Sequence, residues 1–201
     1  MKNHKKIQLI AAASVAAVAL VGVITGCSKS EATTAPAAGF TPKQMADALF
    51  TVMASDRGVY TKNVVQRLQN EDHVIKASEH WQDDKALPLP AQMFRMGAET
   101  VSAKNAGFTY ALLSLWPINK QNAPATDVEK TGLKFVADSM GKTNYYATET
   151  LGGKKYFTAV YADVAVSPAC VKCHNNHEDS PRSDFKLNDV MGGVVIRIPT
   201  E

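Results

Sequence analysis

The chain has 201 residues, 45% of them hydrophobic and 20% charged, with 22 Lys+Arg, 19 Asp+Glu and a formal net charge of +3. That composition excludes a disordered or collagen-like chain. Lys2, Lys5 and Lys6 are the only charged residues among the first 26, so the rest balances 19 cations against 19 acids and carries no basic footprint for nucleic acid.

The remaining residues suit one domain, and three cysteines cannot build a disulfide scaffold. Met1–Lys6 is basic and Ile7–Ile24 is apolar apart from Gln8 and Ser14, the pattern of an export signal. Its ending, Ile24-Thr25-Gly26-Cys27, resembles a bacterial lipoprotein signal, which implies a lipid on Cys27 as the new N-terminus. A transmembrane anchor is the alternative, since about 18 apolar residues can just span a bilayer. Both put the domain outside the cytoplasm. Ser28 after the cysteine resembles lipoproteins sent on to the outer membrane. Residues 28–41 are small and polar and read as a flexible tether.

Thr41-Pro42 opens a helix, with Thr as N-cap and Pro in the first turn. Met45, Leu49, Val52, Met53, Asp56, Val59, Tyr60, Asn63, Val64 and Leu68 recur at helical spacing and predict one stripe, facing a core or a second copy. Asp56 interrupts it, with Arg57 or Tyr60 as expected partner. A second helix is expected from Pro90 to about Lys104. A strand is expected over Gly107–Leu115, a loop over Pro117–Pro124 and a helix over Ala125–Met140. Thr143–Leu151 and Lys155–Val166 predict a hairpin around Gly152-Gly153, and Val190–Ile198 a last strand. Helices first and neighbouring strands afterwards predict an α+β fold with an antiparallel sheet.

Ser167-Pro168-Ala169-Cys170-Val171-Lys172-Cys173-His174 carries the chemistry. Cys-x-x-Cys-His is the attachment signature of c-type haem. Two thiols add to the two vinyl groups of one porphyrin, and the next residue, His174, can offer an imidazole nitrogen to iron. A thioredoxin-like dithiol needs a helix after the motif, whereas Asn175–Asn188 is polar and holds Pro181. A zinc site of Cys170, Cys173, His174 and His177 would need adjacent residues to bind one tetrahedral ion. A chance match in a loop is the remaining alternative. Export gives the thiols an oxidising compartment in which thioether formation supplies their fate.

Beyond the motif, Leu87-Pro88-Leu89-Pro90-Ala91 precedes a helix. Ser114-Leu115-Trp116-Pro117-Ile118-Asn119 is followed by Asn122-Ala123-Pro124, and Asp189-Val190-Met191-Gly192-Gly193-Val194 closes the domain. In this order the segments resemble the c-haem PAS-like domains, over roughly Thr41–Ile198. Those domains occur as extracytoplasmic parts of bacterial chemotaxis receptors and histidine kinases and as free exported haem proteins. The resemblance implies a PAS-like antiparallel sheet in a domain over residues 42–201. It also implies one covalent haem c on Cys170 and Cys173, with His174 as proximal ligand.

The sixth iron ligand stays open among Met93, Met96, His80 or His73, and water. Met93 follows the Pro-rich turn where a Met-ligated member would place its ligand, and Met93 and Met96 share a helix face. Both can equally be pliant core fillers. His177 reads as a solvent-facing loop residue. Trp116, Tyr110 and Phe94 are candidates for the pocket wall, and Arg57, Arg95 and Lys172 for the haem propionates. The expected function is a redox or small-ligand sensor with a signalling partner and a small gas as possible ligand. A periplasmic electron-transfer cytochrome with a redox partner is the alternative. A homodimer through the N-terminal helix is a further expectation. A peroxidase-like enzyme would need a distal His–Arg pair, which the sequence does not display, so no enzymatic activity is expected.

Overall fold

A computed structural model describes residues 39–200. The expected export leader, Cys27 and residues 28–38 of the expected tether lie outside the described residues. Helix α1 (Pro42–Val59) opens as the sequence predicts. Thr41 accepts from the Gln44 backbone N–H and Gln44 reaches back to the Thr41 N–H, with Pro42 at the first turn. From Tyr60 to Glu71 the same helix continues in a wider, π-type winding. Such windings are rare and occur often at functional sites.

Two-residue strands β1 (Ala77–Ser78) and β2 (Leu87–Pro88) pair in parallel. Helix α2 (Pro90–Ala103) follows, then β3 (Thr109–Leu113), a single 3₁₀ turn at Lys120–Asn122 and helix α3 (Asp127–Asp138). Strands β4 (Tyr145–Leu151) and β5 (Lys154–Val164) form the expected hairpin, where Gly152 (φ 57°) and Gly153 (φ 80°) supply two successive positive φ angles. Helix α4 (Pro168–Asn176) and strand β6 (Val190–Pro199) complete the chain.

The main sheet is antiparallel in the order β3-β6-β5-β4. The fold is α+β and PAS-like. Strand β6 is central and covered on both faces, which explains its almost unbroken apolar run, Val190–Ile198. Alternation along β5 and β6 sorts the core. Ala159, Tyr161, Val194 and Ile196 pack on one face with Ala46 of α1 and Phe94 of α2. Val160 and Val195 pack on the other with Leu133 and Val136 of α3. Gly192 lies where strands β3 and β6 come closest: a Cβ there would sit 2.5 Å from the Leu113 carbonyl oxygen, which the sheet holds in place.

Of the stripe expected on α1, Met45, Leu49 and Met53 pack against the core as predicted, and other positions depart from it. Val52, Asp56 and Val59 are exposed, while Ala46, Thr61 and Val65 are buried and Phe50 packs against the core. Beyond Val59 the wider winding takes the chain off a 3.6-residue count, and Thr61 and Val65 turn inward. The partner expected for Asp56 is also corrected, since Arg57 pairs across the fold with Asp163 of β5.

Candidate cofactor site

Strand β5 runs into the motif. Ala165 donates to the Asp189 carbonyl at 2.9 Å and Asn188 to that of Ala165 at 3.0 Å, which ties the motif's entrance to β6. Ser167 caps α4, its Oγ accepting from the Ala169 N–H at 3.1 Å, and Pro168 occupies the first turn. The motif therefore lies on a nine-residue helix rather than a loop. Cys170, Cys173 and His174 stand at i, i+3 and i+4, on one helical face.

A loop braces that helix from behind. Asn175 Nδ2 donates to the Phe185 carbonyl at 2.9 Å, and the Phe185 N–H donates to Asn175 Oδ1 at 3.0 Å. Buried Phe185 meets the His174 ring edge-on, with centroids 5.9 Å apart and an 88° interplanar angle. Trp116 packs edge-on against Phe185, and the Arg182 guanidinium covers both rings at 4.7 and 4.2 Å. The imidazole plane is thus set by aromatic packing, and its buried Nδ1 has no hydrogen-bond partner.

All three motif side chains line one cavity of about 770 Å³. That falls within the roughly 300–1,000 Å³ of sites for small molecules and cofactors. α1 and its extension contribute Phe50, Arg57 and Thr61, α2 contributes Met96, and the β3–α3 loop contributes Trp116. Arg95 also lines it and pairs at 2.8 Å with Glu99, which lines the same cavity. Met93 is half-buried and is not among the lining residues, whereas Met96 is. Tyr110 and Phe94 belong to the core, and Lys172 is exposed. His80 lies on the surface, and His73 holds the Gln69 carbonyl at 3.2 Å beside a separate small hollow. His177 departs from expectation: it lines the cavity and approaches Glu79 at 3.4 Å.

The electrostatics suit an imidazole ligand and disfavour a thiolate. Burial, with the nearby charges of His177 and Arg57, lowers the His174 pKa against the opposing pull of Asp163. A neutral ring keeps a lone pair for a metal. Burial, then the charges of Glu79 and Cys170, pushes the Cys173 thiol up. A redox dithiol at a helix start needs the opposite shift, although α4 does follow a strand. Among the described residues, no group of three or more His, Cys, Asp or Glu is arranged to hold a metal ion. What remains is a pair of thiols and one imidazole on a cavity wall. That donor set fits a porphyrin held by its edge and by its iron.

No curated protein matches the chain. The crystal structure of the cyanobacterial heme-protein Tll0287 has a similar fold, with a TM-score of 0.54 and 14% sequence identity over 81% of this chain and 98% of that one. The family model described as Tll0287-like matches residues 37–199. The chain belongs to the Tll0287-like family.

Proposed function

We propose that this is an exported, lipid-anchored monohaem c-type protein that acts in redox or small-ligand sensing. Cys170 and Cys173 would hold haem covalently and His174 would ligate its iron. One observation carries the reading: a single helical face brings two thiols and a neutral imidazole to the wall of one large cavity. The similar fold of the cyanobacterial heme-protein Tll0287 agrees with it.

When bound, haem would supply a one-electron iron centre able to take a further donor. The chain's own residues do the rest. The two thiols fix the porphyrin edge, and Phe185 holds the His174 plane. Buried Nδ1 lacks the carbonyl or carboxylate that usually makes a metal-bound imidazole more basic. A less basic imidazole stabilises ferric iron less, which raises the reduction potential.

Electron transfer is the second reading, favoured by the Met96 thioether on the cavity wall. On that reading a thioether would be a further donor to the iron, from Met96 on the cavity wall or from Met93 as the sequence proposes. Carbon monoxide added to the reduced protein separates the two. A full shift of the Soret band at equilibrium is the expected result for a sensor. An unchanged spectrum, with a near-infrared sulfur–iron band in the oxidised form, would move the assignment to a carrier.

The anchor is proposed on the leader alone. Cys27→Ser should move the protein from membrane to soluble fractions, and unchanged membrane fractionation would point to an uncleaved helix. Among the described residues no helix is long and apolar enough to cross a membrane.

A further inference from the structure

Residues 72–89 join the wide winding to α2 and stand apart from the rest of the fold. Their strands β1 and β2 pair only with each other and take no place in the main sheet. They add no residue to the three hydrophobic clusters, and Ala86 is the single buried residue among them. His73 (φ 54°) and Lys85 (φ 50°) carry side chains in left-handed backbone, which the surroundings must enforce. A segment with so few buried apolar contacts opens at low cost. Yet Ala77, Glu79, Trp81 and Leu89 form part of the cavity wall.

The segment is tied firmly at its two ends. Gln69 Oε1 accepts from the Ala77 N–H at 2.6 Å, Gln92 Nε2 donates to the Glu79 carbonyl at 2.7 Å, and Tyr60 donates to the Pro88 carbonyl at 2.8 Å. These partners lie on the wide winding and on α2, the elements from which the segment leaves and to which it returns. Toward the motif helix the described residues give one polar contact, from His177 at the C-terminal end of α4 to Glu79. The Asp179 N–H donates to His177 Nδ1 at 3.1 Å, which assigns the proton of the neutral ring to Nε2, 3.4 Å from Glu79 Oε2. The Glu79 side chain is half exposed, so this contact is weak and reversible. We propose that residues 72–89 are a strap that gates the cavity, with the hydrogen bond from His177 to Glu79 as its latch, so that small molecules reach the site when the latch opens. The ligand traffic it controls rests on the haem reading above.

A gate has a signature that a ligand contact lacks. It changes how fast a ligand enters and leaves in equal measure and leaves the equilibrium affinity alone, because it makes no differential interaction with the bound molecule. Carbon monoxide is the probe. Its association with the reduced holoprotein is followed after flash photolysis, and its dissociation by replacement with nitric oxide. Glu79→Ala and His177→Ala should each speed both rates together by about 2- to 5-fold, the weight of one exposed charge-assisted contact, with the affinity unchanged. The double variant should match the single ones, since each removes the same contact. Glu79→Gln keeps an acceptor for the Nε2–H and should stay nearest to the wild type. Glu79 is half exposed, so its variants carry the test even where loss of His177 disturbs the end of α4. Unchanged rates in the Glu79 variants would overturn the proposal. So would an affinity that changes with the rates, which assigns the pair to the ligand's own surroundings, or a double effect equal to the product of the single ones. A reduced wild type that binds no carbon monoxide has no traffic to gate and overturns it too. Protein without c-type bands in alkaline pyridine would remove the haem reading itself, and the gate's ligand with it.

Discussion

Cys170→Ala together with Cys173→Ala is expected to abolish covalent haem entirely. Both thiols lie on one face of α4 and open onto the same cavity, so no third cysteine can substitute; Cys27 is the only other one in the chain. The variant should still fold. Cys173 is exposed and Cys170 only borders the small cluster of Ala165, Phe185 and Met191. Losing these sulfurs should cost well under the about 2–5 kcal/mol of a large core truncation. Any porphyrin left would be held by His174 and the cavity alone, and acid acetone should extract it. Haem that stays with the double variant after extraction would contradict the assignment.

Arg197→Leu is expected to be the most destabilising single change on the other face of the sheet. Arg197 reaches Glu149 and Glu129 at 2.7 Å each, and those residues are only 8% and 4% exposed. Glu129 also closes the capping box of α3, accepting from the Thr126 N–H at 2.9 Å. Without the guanidinium, two buried carboxylates face each other with no cation, a loss of about 3–5 kcal/mol. That is a large fraction of the about 5–15 kcal/mol that holds a typical domain together.

The pH dependence has a definite sign. Burial opposes ionisation of Glu149, but hydrogen bonds from Arg197 and Thr158 outweigh it and hold the carboxyl below its ordinary range. A depressed carboxyl stabilises the fold fully above the ordinary glutamate value, about 4.3, and loses that contribution as pH falls through the lower folded value. In the variant the Glu149 carboxyl lacks its cation, so protonation relieves it. The difference in thermal midpoint between wild type and Arg197→Leu should therefore be largest at neutral pH and shrink on acidification below about pH 4. A constant difference across that range would show that Arg197 acts through packing and not through charge.

The parts of this fold that were legible in the sequence are those governed by neighbours. Thr41 and Gln44 cap a helix within three residues, and Gly152-Gly153 closes a hairpin between adjacent strands. The two cysteines and His174 announce themselves by spacing. What stayed hidden depends on partners far along the chain. Arg57 reads as a partner for Asp56 or for a haem propionate until β5 brings Asp163 to it across 106 positions. His177 reads as a loop residue until Glu79 and the cavity meet it from 98 positions away. The inward positions beyond α1, Thr61 and Val65, stayed hidden because the helix widens at Tyr60, which no hydrophobic count at a single period reveals. The brace between Asn175 and Phe185 gave no sequence signal either, since a polar loop with one aromatic looks like any other.

Intact mass spectrometry under denaturing acid tests the central claim most directly, applied to wild-type protein from a host competent in cytochrome maturation. The mature chain carrying the mass of one haem, with c-type bands in alkaline pyridine, is the result expected here. A bare chain mass on folded protein, with haem absent or released into the solvent, would contradict it.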